Sequence, residues 1–416
     1  MLPRACRLST VPAVIAALAV MAFASPVLAQ QDDEEEGGRR SAPTISEKTG
    51  EKLNEAIELL NADNYAGARQ VLSEINMERL SPYEGSRVHQ IWSGIEYSEG
   101  NYDAARRHLQ QAIDAGGFNE REVSQAKYQI AQIFMAEEKW REGAAALEEW
   151  FRTAPEPNAA AYYLLAAAYY QMEDLNKALA PAQKAVEIAA KPQASWIELL
   201  LALYLTREEY DEAVPLLERL IAMEPDKKTH WLRLSSLYQQ QEKYGPALAA
   251  MQIAYNAGFL EQESEYIRLS DMLRFNEIPY RAARVLEQAM EDGHVKKTSE
   301  NYEKLANCWI QARDFNEAIP PLERAAEMSK EGNLYLRLGQ VYVQREQWSE
   351  AEGALRNALD KGSLDDENQT NLLMGISLFN QDKLRDARQW FQRVRGDQRS
   401  MAQDYVKLID RKLQER

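Results

Sequence analysis

The chain has 416 residues, 45 % of them hydrophobic and 27 % charged, with a formal net charge of −16. That composition is ordinary for a folded, water-soluble protein, and the length accommodates two or three globular domains or one long repeat array. The acidity argues against direct nucleic-acid binding and against anionic lipid surfaces, whose phosphates carry the same sign; basic partner segments are attracted instead.

The first thirty residues read as a signal peptide. Arg4 and Arg7 are the only charges before residue 30, Val11 to Phe23 is apolar apart from Pro12, and Val27-Leu28-Ala29 puts small residues at the positions that precede cleavage. Cleavage is expected near Ala29/Gln30, and loss of the two arginines takes the charge from −16 to −18. The apolar run is too short to span a bilayer comfortably, and no second run of spanning length follows, so the mature chain is expected to have no transmembrane span. Cys6 leaves with this segment. Cys308 then stands alone among Leu305, Ala306, Trp309 and Ile310, and reads as a small buried residue without a disulfide.

Residues 30–46 contain Asp32-Asp33-Glu34-Glu35-Glu36 and almost nothing apolar. They are expected to form a disordered acidic leader, a solvated tether.

From residue 47 a helical period begins and does not stop. A short phrase recurs along it: an aromatic residue or Leu, two mostly polar residues, then a small residue. The small residues are Ala68, Ala105, Gly143, Ala178, Ala213, Ala247, Ala282, Ala318, Ala351 and Ala387, spaced 37, 38, 35, 35, 34, 35, 36, 33 and 36 residues apart. Twelve positions before each lies a second mostly small residue: Ala56, Ser93, Ala131, Ala166, Leu201, Ser235, Ser270, Ala306, Gly339 and Gly375, with Leu201 the single exception. Large groups follow three residues later, at Phe134, Tyr169, Tyr204, Tyr238, Trp309 and Tyr342. Two antiparallel helices that cross closely need small residues at the crossing, because extra methylenes in a packed contact cost about 1–3 kcal/mol. Neither helix can bury its apolar stripe alone, so the units must stack.

These ten phrases resemble the tetratricopeptide-repeat family, whose period is about 34 residues. The resemblance implies an all-α, right-handed α-solenoid of about ten helix-turn-helix repeats over residues 47–397, closed by a capping helix over 398–416. The family's closing proline stands only at Pro155 and Pro225. Pro181, Pro215, Pro320 and Pro321 fall inside expected second helices, which suggests an outer position that tolerates a kink.

Chemistry-bearing motifs are missing from the sequence. His89, His108, His230 and His294 read as scattered over different units, with no metal pair at helical spacing, and no phosphate loop, nucleophile elbow or paired-cysteine motif occurs. The chain is therefore expected to be no enzyme and to take no metal or cofactor. The family's contact positions lie on the first helices, lining the concave face. Counted here, they place Tyr128, Gln132, Tyr163, Tyr170, Leu232, Gln239, Asn307, Ile310, Gln340, Val343 and Gln344 on that face. Amides and tyrosines suit an extended peptide. Family members that grip a terminal carboxylate use Lys and Asn on successive first helices; no matching lysines accompany Asn307, so that clamp is not expected.

Leu80-Ser81-Pro82-Tyr83-Glu84, Glu148-Glu149-Trp150-Phe151, the stretch from Trp231 to Leu260, Pro279-Tyr280-Arg281-Ala282-Ala283 and Ala318-Ile319-Pro320-Pro321-Leu322-Glu323 are similar to a group of bacterial envelope proteins. That group is described as tetratricopeptide components of TonB/ExbB/ExbD transport systems. The resemblance implies a periplasmic scaffold for protein–protein interactions, an accessory of a TonB-type energy-transducing system whose partners are envelope proteins or extended peptide segments. The alternative is an adaptor for outer-membrane or cell-wall assembly.

Overall fold

The computed structural model describes residues 44–154 and 156–415. The expected signal peptide, residues 30–43 of the expected leader, Pro155 and Arg416 lie outside the described residues. Among the described residues there are 21 α-helices, two short 3-10 turns and no strand. The chain divides into two units at Met223 and Glu224.

The N-terminal unit holds five helix pairs. They are α1 (Glu47–Asn61) with α2 (Tyr65–Ser73), α3 (Pro82–Ser98) with α4 (Tyr102–Asp114), α5 (Glu120–Ala136) with α6 (Trp140–Thr153), α7 (Ala159–Gln171) with α8 (Leu175–Ile188), and α9 (Ala194–Thr206) with α10 (Tyr210–Met223). The C-terminal unit holds five more: α11 (Lys228–Gln240) with α12 (Tyr244–Asn256), α13 (Glu263–Phe275) with α14 (Pro279–Glu291), α15 (Ser299–Gln311) with α16 (Phe315–Met328), α17 (Asn333–Gln344) with α18 (Trp348–Lys361), and α19 (Glu367–Asn380) with α20 (Leu384–Arg393). A last helix, α21 (Arg399–Gln414), packs on α20. Within each unit every first helix packs on its own second helix, and every second helix packs on the next first helix. Each unit is thus an α-solenoid stack of helix-turn-helix repeats. Helix α21 buries Ala402 and Ile409 into the cluster around Leu378, Leu384 and Phe391, covering the last pair's apolar face.

The crossings are where the spacing argument puts them. Ala68, Ala105, Ala178, Ala213, Ala247, Ala282, Ala318, Ala351 and Ala387 are all 0 % exposed, and Ala56, Ser93, Ala131, Ala166, Ser235 and Ala306 face them equally buried. The glycines show how little room remains. A Cβ on Gly339 would lie 2.7 Å from Leu355, one on Gly375 2.7 Å from Phe391, and one on Gly143 2.8 Å from the Met135 sulfur. Leu201, the large residue at this position, is also buried, at 1 % exposure.

Each pair turns in the same way. The residue two before the phrase's first position adopts a left-handed backbone: Asp63, Gly100, Glu138, Glu173, Glu208, Glu242, Glu277, Arg313, Glu346 and Asp382, with φ between 55° and 78°. The following N–H returns to the carbonyl five residues back, as in Asn64 to Leu59, Asp174 to Tyr169 and Gln347 to Tyr342. This is the Schellman termination, which satisfies carbonyls that a helix end leaves free. Several first helices start on side-chain caps. Ser81 with Glu84 and Asn119 with Glu122 form reciprocal capping boxes.

The repeats are stapled to their neighbours through the large groups that fill the space beside the crossings. The Tyr169 hydroxyl meets Glu148, the Tyr342 hydroxyl donates to Glu323 at 2.6 Å, and Gln183 donates to the Tyr204 hydroxyl at 2.8 Å. Each partner stands five residues after the small residue of the preceding repeat's phrase. The prolines answer the sequence expectation unevenly. Helices α8, α10 and α16 run through them, with Pro215 and Pro320 exposed and Pro181 half-buried, but Pro321 is buried among α16's core residues. An outward position therefore does not describe Pro321.

Candidate functional site

Among the described residues of the C-terminal unit, a groove runs over α13. It encloses about 900 Å³ and is lined by Gln239 of α11, Tyr244 of α12, Gln311 of α15, and a stripe of α13 that includes Ser264, Ile267, Arg268, Asp271 and Phe275. Those five α13 residues recur at helical spacing and so share one face. Phe275 is 65 % exposed and Tyr244 40 %, although their rings lie only 4.6 Å apart, centroid to centroid. Arg268 is half-buried beside them. Its Nη2 donates to Ser236 Oγ at 3.0 Å and to Gln239 Oε1, both neutral. Burial lowers its pKa. Arg274 lies at the same end, with Asp271 4.0 Å from its Nη1 and its buried Nε without an acceptor.

The groove can therefore offer an aromatic wall, a guanidinium and amide groups to an extended chain. Two apolar side chains this exposed at one spot are the feature that a globular surface does not need for its own stability. A second, shallower groove of about 710 Å³ lies in the N-terminal unit, between Phe151, Tyr162, Pro181 and Lys184. None of the sequence-predicted contact residues lines it.

The predicted contact residues separate into three groups. Tyr128 and Tyr163 are 7 % and 1 % exposed, and both are core residues. Tyr128 stacks on Trp150 at 4.7 Å and Tyr163 on Trp196 at 5.5 Å. Burial pushes the Tyr128 hydroxyl up to about 12 and raises that of Tyr163. Both rings are thus packed against a tryptophan and buried. Leu232, Ile310 and Val343 are half-buried and pack against the core clusters of their own repeats. Gln132, Tyr170, Gln239, Asn307 and Gln340 are half-buried, Gln344 is exposed, and Asn307 Oδ1 is buried without a donor. Of all eleven, only Gln239 lines the groove over α13.

The sequence did contain a signal for the rest. The predicted contacts sit three before and one, four and five after the first-helix crossing residue. Counted from Ser270, those offsets give Ile267, Asp271, Arg274 and Phe275, and all four line the groove. Arg268 falls outside the frame, as do Ser264 and Met272.

The histidines also require a correction. His89 of α3 and His108 of α4 belong to one repeat, and their Nδ1 atoms lie 3.2 Å apart, with Trp92 stacked beyond His108 at 5.7 Å. One ring donates and the other accepts. Burial lowers both pKa values, and each ring's neighbours add to or oppose the effect: His108 lowers His89, while Glu96 raises His108. The pair escaped a search along single helices because its members face each other across two. No group of three or more metal-ligating side chains occurs among the described residues. Cys308 is 1 % exposed in the core, where burial raises its thiol. No described helix is long and apolar enough to cross a membrane.

A family profile of the tetratricopeptide repeat matches residues 128–195, 202–259 and 336–401. No curated protein matches the chain. Among solved structures, the chain is similar to MamA from Desulfovibrio magneticus, with 19 % identity, 44 % of this chain and 99 % of that one covered and a TM-score of 0.37. YrrB, described as a tetratricopeptide protein with an unusual peptide-binding site, shares 20 % identity over 45 % of this chain and 95 % of its own, with a TM-score of 0.35. A tetratricopeptide protein from Parabacteroides merdae shares 15 % identity over 61 % of this chain and 98 % of its own, with a TM-score of 0.33.

Proposed function

From the tetratricopeptide repeats that this chain carries, we propose a periplasmic adaptor that receives an extended segment of another envelope protein in the groove over α13. Repeats of this kind bind peptides or other proteins, and they typically serve as non-catalytic scaffolds. The observation that carries the proposal is the exposed Phe275–Tyr244 pair beside Arg268 within one groove. Rigid rings supply contact area at low entropy cost, and a preformed groove limits the ordering that binding demands. No reaction is assigned to the chain.

The periplasmic setting rests on the signal-peptide pattern of residues 1–29. The partner class rests on the phrases around Pro82, Trp150, Ala257, Tyr280 and Pro320, which resemble components of TonB-type transport systems. In this reading the adaptor docks on the complex that couples the proton gradient to outer-membrane uptake. Co-purification of the tagged full chain from envelope extracts tests it. TonB-, ExbB- or ExbD-type proteins are expected in the eluate of the wild type and depleted in that of Phe275→Ala. Their consistent absence from both rejects the TonB assignment.

A further inference from the structure

We propose that Arg268 reads a carboxylate: the partner segment places an acidic group on this guanidinium and an apolar side chain against Phe275 and Tyr244. The inference rests on the groove reading above and adds the chemistry of its occupant.

Three observations support it. The first is the choice of partners. Arginines withdrawn from solvent elsewhere in the molecule meet carboxylates: Arg69 meets Glu96 and Glu99, Arg87 meets Glu122, and Arg106 meets Asp103 and Glu137. Arg268 meets only the Ser236 hydroxyl and the Gln239 amide oxygen, and forms no ion pair with any described residue. A half-buried charge whose hydrogen-bond partners are both neutral is costly unless an anion completes it. The second is donor capacity. A guanidinium has five N–H donors in a planar fork that matches a carboxylate, and both bonds to the protein come from Nη2 alone. The Nε and Nη1 hydrogens are unclaimed. The third is position. Arg268 and Phe275 are seven residues apart on α13, which is two turns along one face and about 10 Å. An extended segment covers that length with about three residues.

The whole chain is acidic, with a net charge of −16. A polyacidic partner is therefore repelled at long range, while a contact made inside the groove is screened little. The occupant is accordingly a neutral or basic segment presenting one carboxylate about three residues from an apolar side chain.

The test uses the full-length mature chain and dye-labelled nine-residue peptides. Each carries one Asp or Glu three residues from a Leu or Phe, in either order; matched sets carry Asn or Gln, or Lys, in place of the acid. Fluorescence anisotropy gives the dissociation constants. Acidic peptides are expected to bind about tenfold or more tightly than their amide matches. Arg268→Gln is expected to abolish that difference, and Arg268→Lys to keep part of it. Phe275→Ala is expected to weaken all sets alike. Equal binding of acidic and amide peptides, with Phe275→Ala still weakening both, overturns the carboxylate inference and leaves the groove reading standing. Absence of binding by every set overturns both. Displacement of the peptides by succinate at the peptides' own concentrations overturns a protein segment as the occupant. Circular dichroism of each variant confirms that it is folded.

Discussion

The Ser270 hydroxyl donates a hydrogen bond to the Ala282 carbonyl oxygen, 3.1 Å away. These two residues are the crossing points of the seventh repeat, one on each helix, and the bond shows how closely the two backbones approach. Both are buried there, Ser270 at 3 % and Ala282 at 0 % exposure. At Gly339 and Gly375 even one Cβ would clash with the Leu355 or Phe391 side chain. The repeat spacing in the sequence is the trace of this steric requirement. The groove over α13 depends on it, since α13 holds its exposed face steady by burying Tyr266, Leu269 and Leu273 on the other.

The left-handed turns are a reserve of stability. Nine of the ten are occupied by Asp, Glu or Arg, whose Cβ makes this conformation unfavourable. Glu173→Gly is expected to stabilise the chain by about 0.5–1 kcal/mol, because the relief of strain outweighs the added freedom of the unfolded state. Gly100→Ala is expected to destabilise it by a similar amount. Chemical denaturation of both variants checks the pair of opposite signs.

The tyrosine staples are expected to contribute measurably to the stack. Tyr342 is 8 % exposed, and its hydroxyl is bonded to Glu323 of the preceding repeat. Removing that hydroxyl in Tyr342→Phe is expected to cost about 1 kcal/mol. Combining it with Glu323→Gln in a double-mutant cycle is expected to show that the two losses are not additive.

Acid sensitivity has one source at the start of the array. Burial alone would raise the Glu84 carboxyl, but the Ser46 hydroxyl at 2.6 Å, the Ser46 N–H at 2.9 Å and the Ser81 N–H at 2.9 Å bring it down from 4.5 to about 2. The folded pKa lies below the unfolded one, so the stabilisation is complete above pH 4.5 and is lost as pH falls toward 2. Its size is about 3 kcal/mol. Stability measured from pH 5 to pH 2.5 is expected to fall less steeply in Glu84→Gln than in the wild type.

The histidine pair acts at higher pH. Both rings have pKa values lowered from 6.5, so the fold favours their neutral forms. Stability is full above pH 6.5 and declines as the pH falls below it, because the unfolded chain takes up more protons. Arg69, Arg107 and Glu96 also bear on this site, with the arginines disfavouring a second positive charge and Glu96 opposing them. His89→Gln is expected to flatten the stability profile just below pH 6.5 without changing the range governed by Glu84.

The repeats were legible because size at a crossing leaves a trace in residue type: Ala, Ser or Gly at fixed spacing, then an aromatic. The turns were not legible, because Glu173 and Glu208 adopt a glycine-like backbone without being glycine; only Gly100 has a residue type that reveals it. The contact face was legible in part. The offset that places Ile267 in the groove places Tyr128 and Tyr163 in the core, where they stack on Trp150 and Trp196. Residue periodicity specifies direction around a helix, but it does not specify what the neighbouring repeat brings. Arg268 stayed hidden for the same reason, since its distinguishing property is the lack of an acidic neighbour across the helix packing. The His89–His108 contact also lies between helices, where a search for spacing within one helix cannot find it.

The most direct test of the stacked-pair account compares one substitution at two places in α10. Ala213 is 0 % exposed at the crossing, whereas Ala222 of the same helix is exposed. Denaturant unfolding of Ala213→Leu is expected to show a loss of about 1–3 kcal/mol, and that of Ala222→Leu a change within about 0.5 kcal/mol. Equal stability of the two variants would contradict the account.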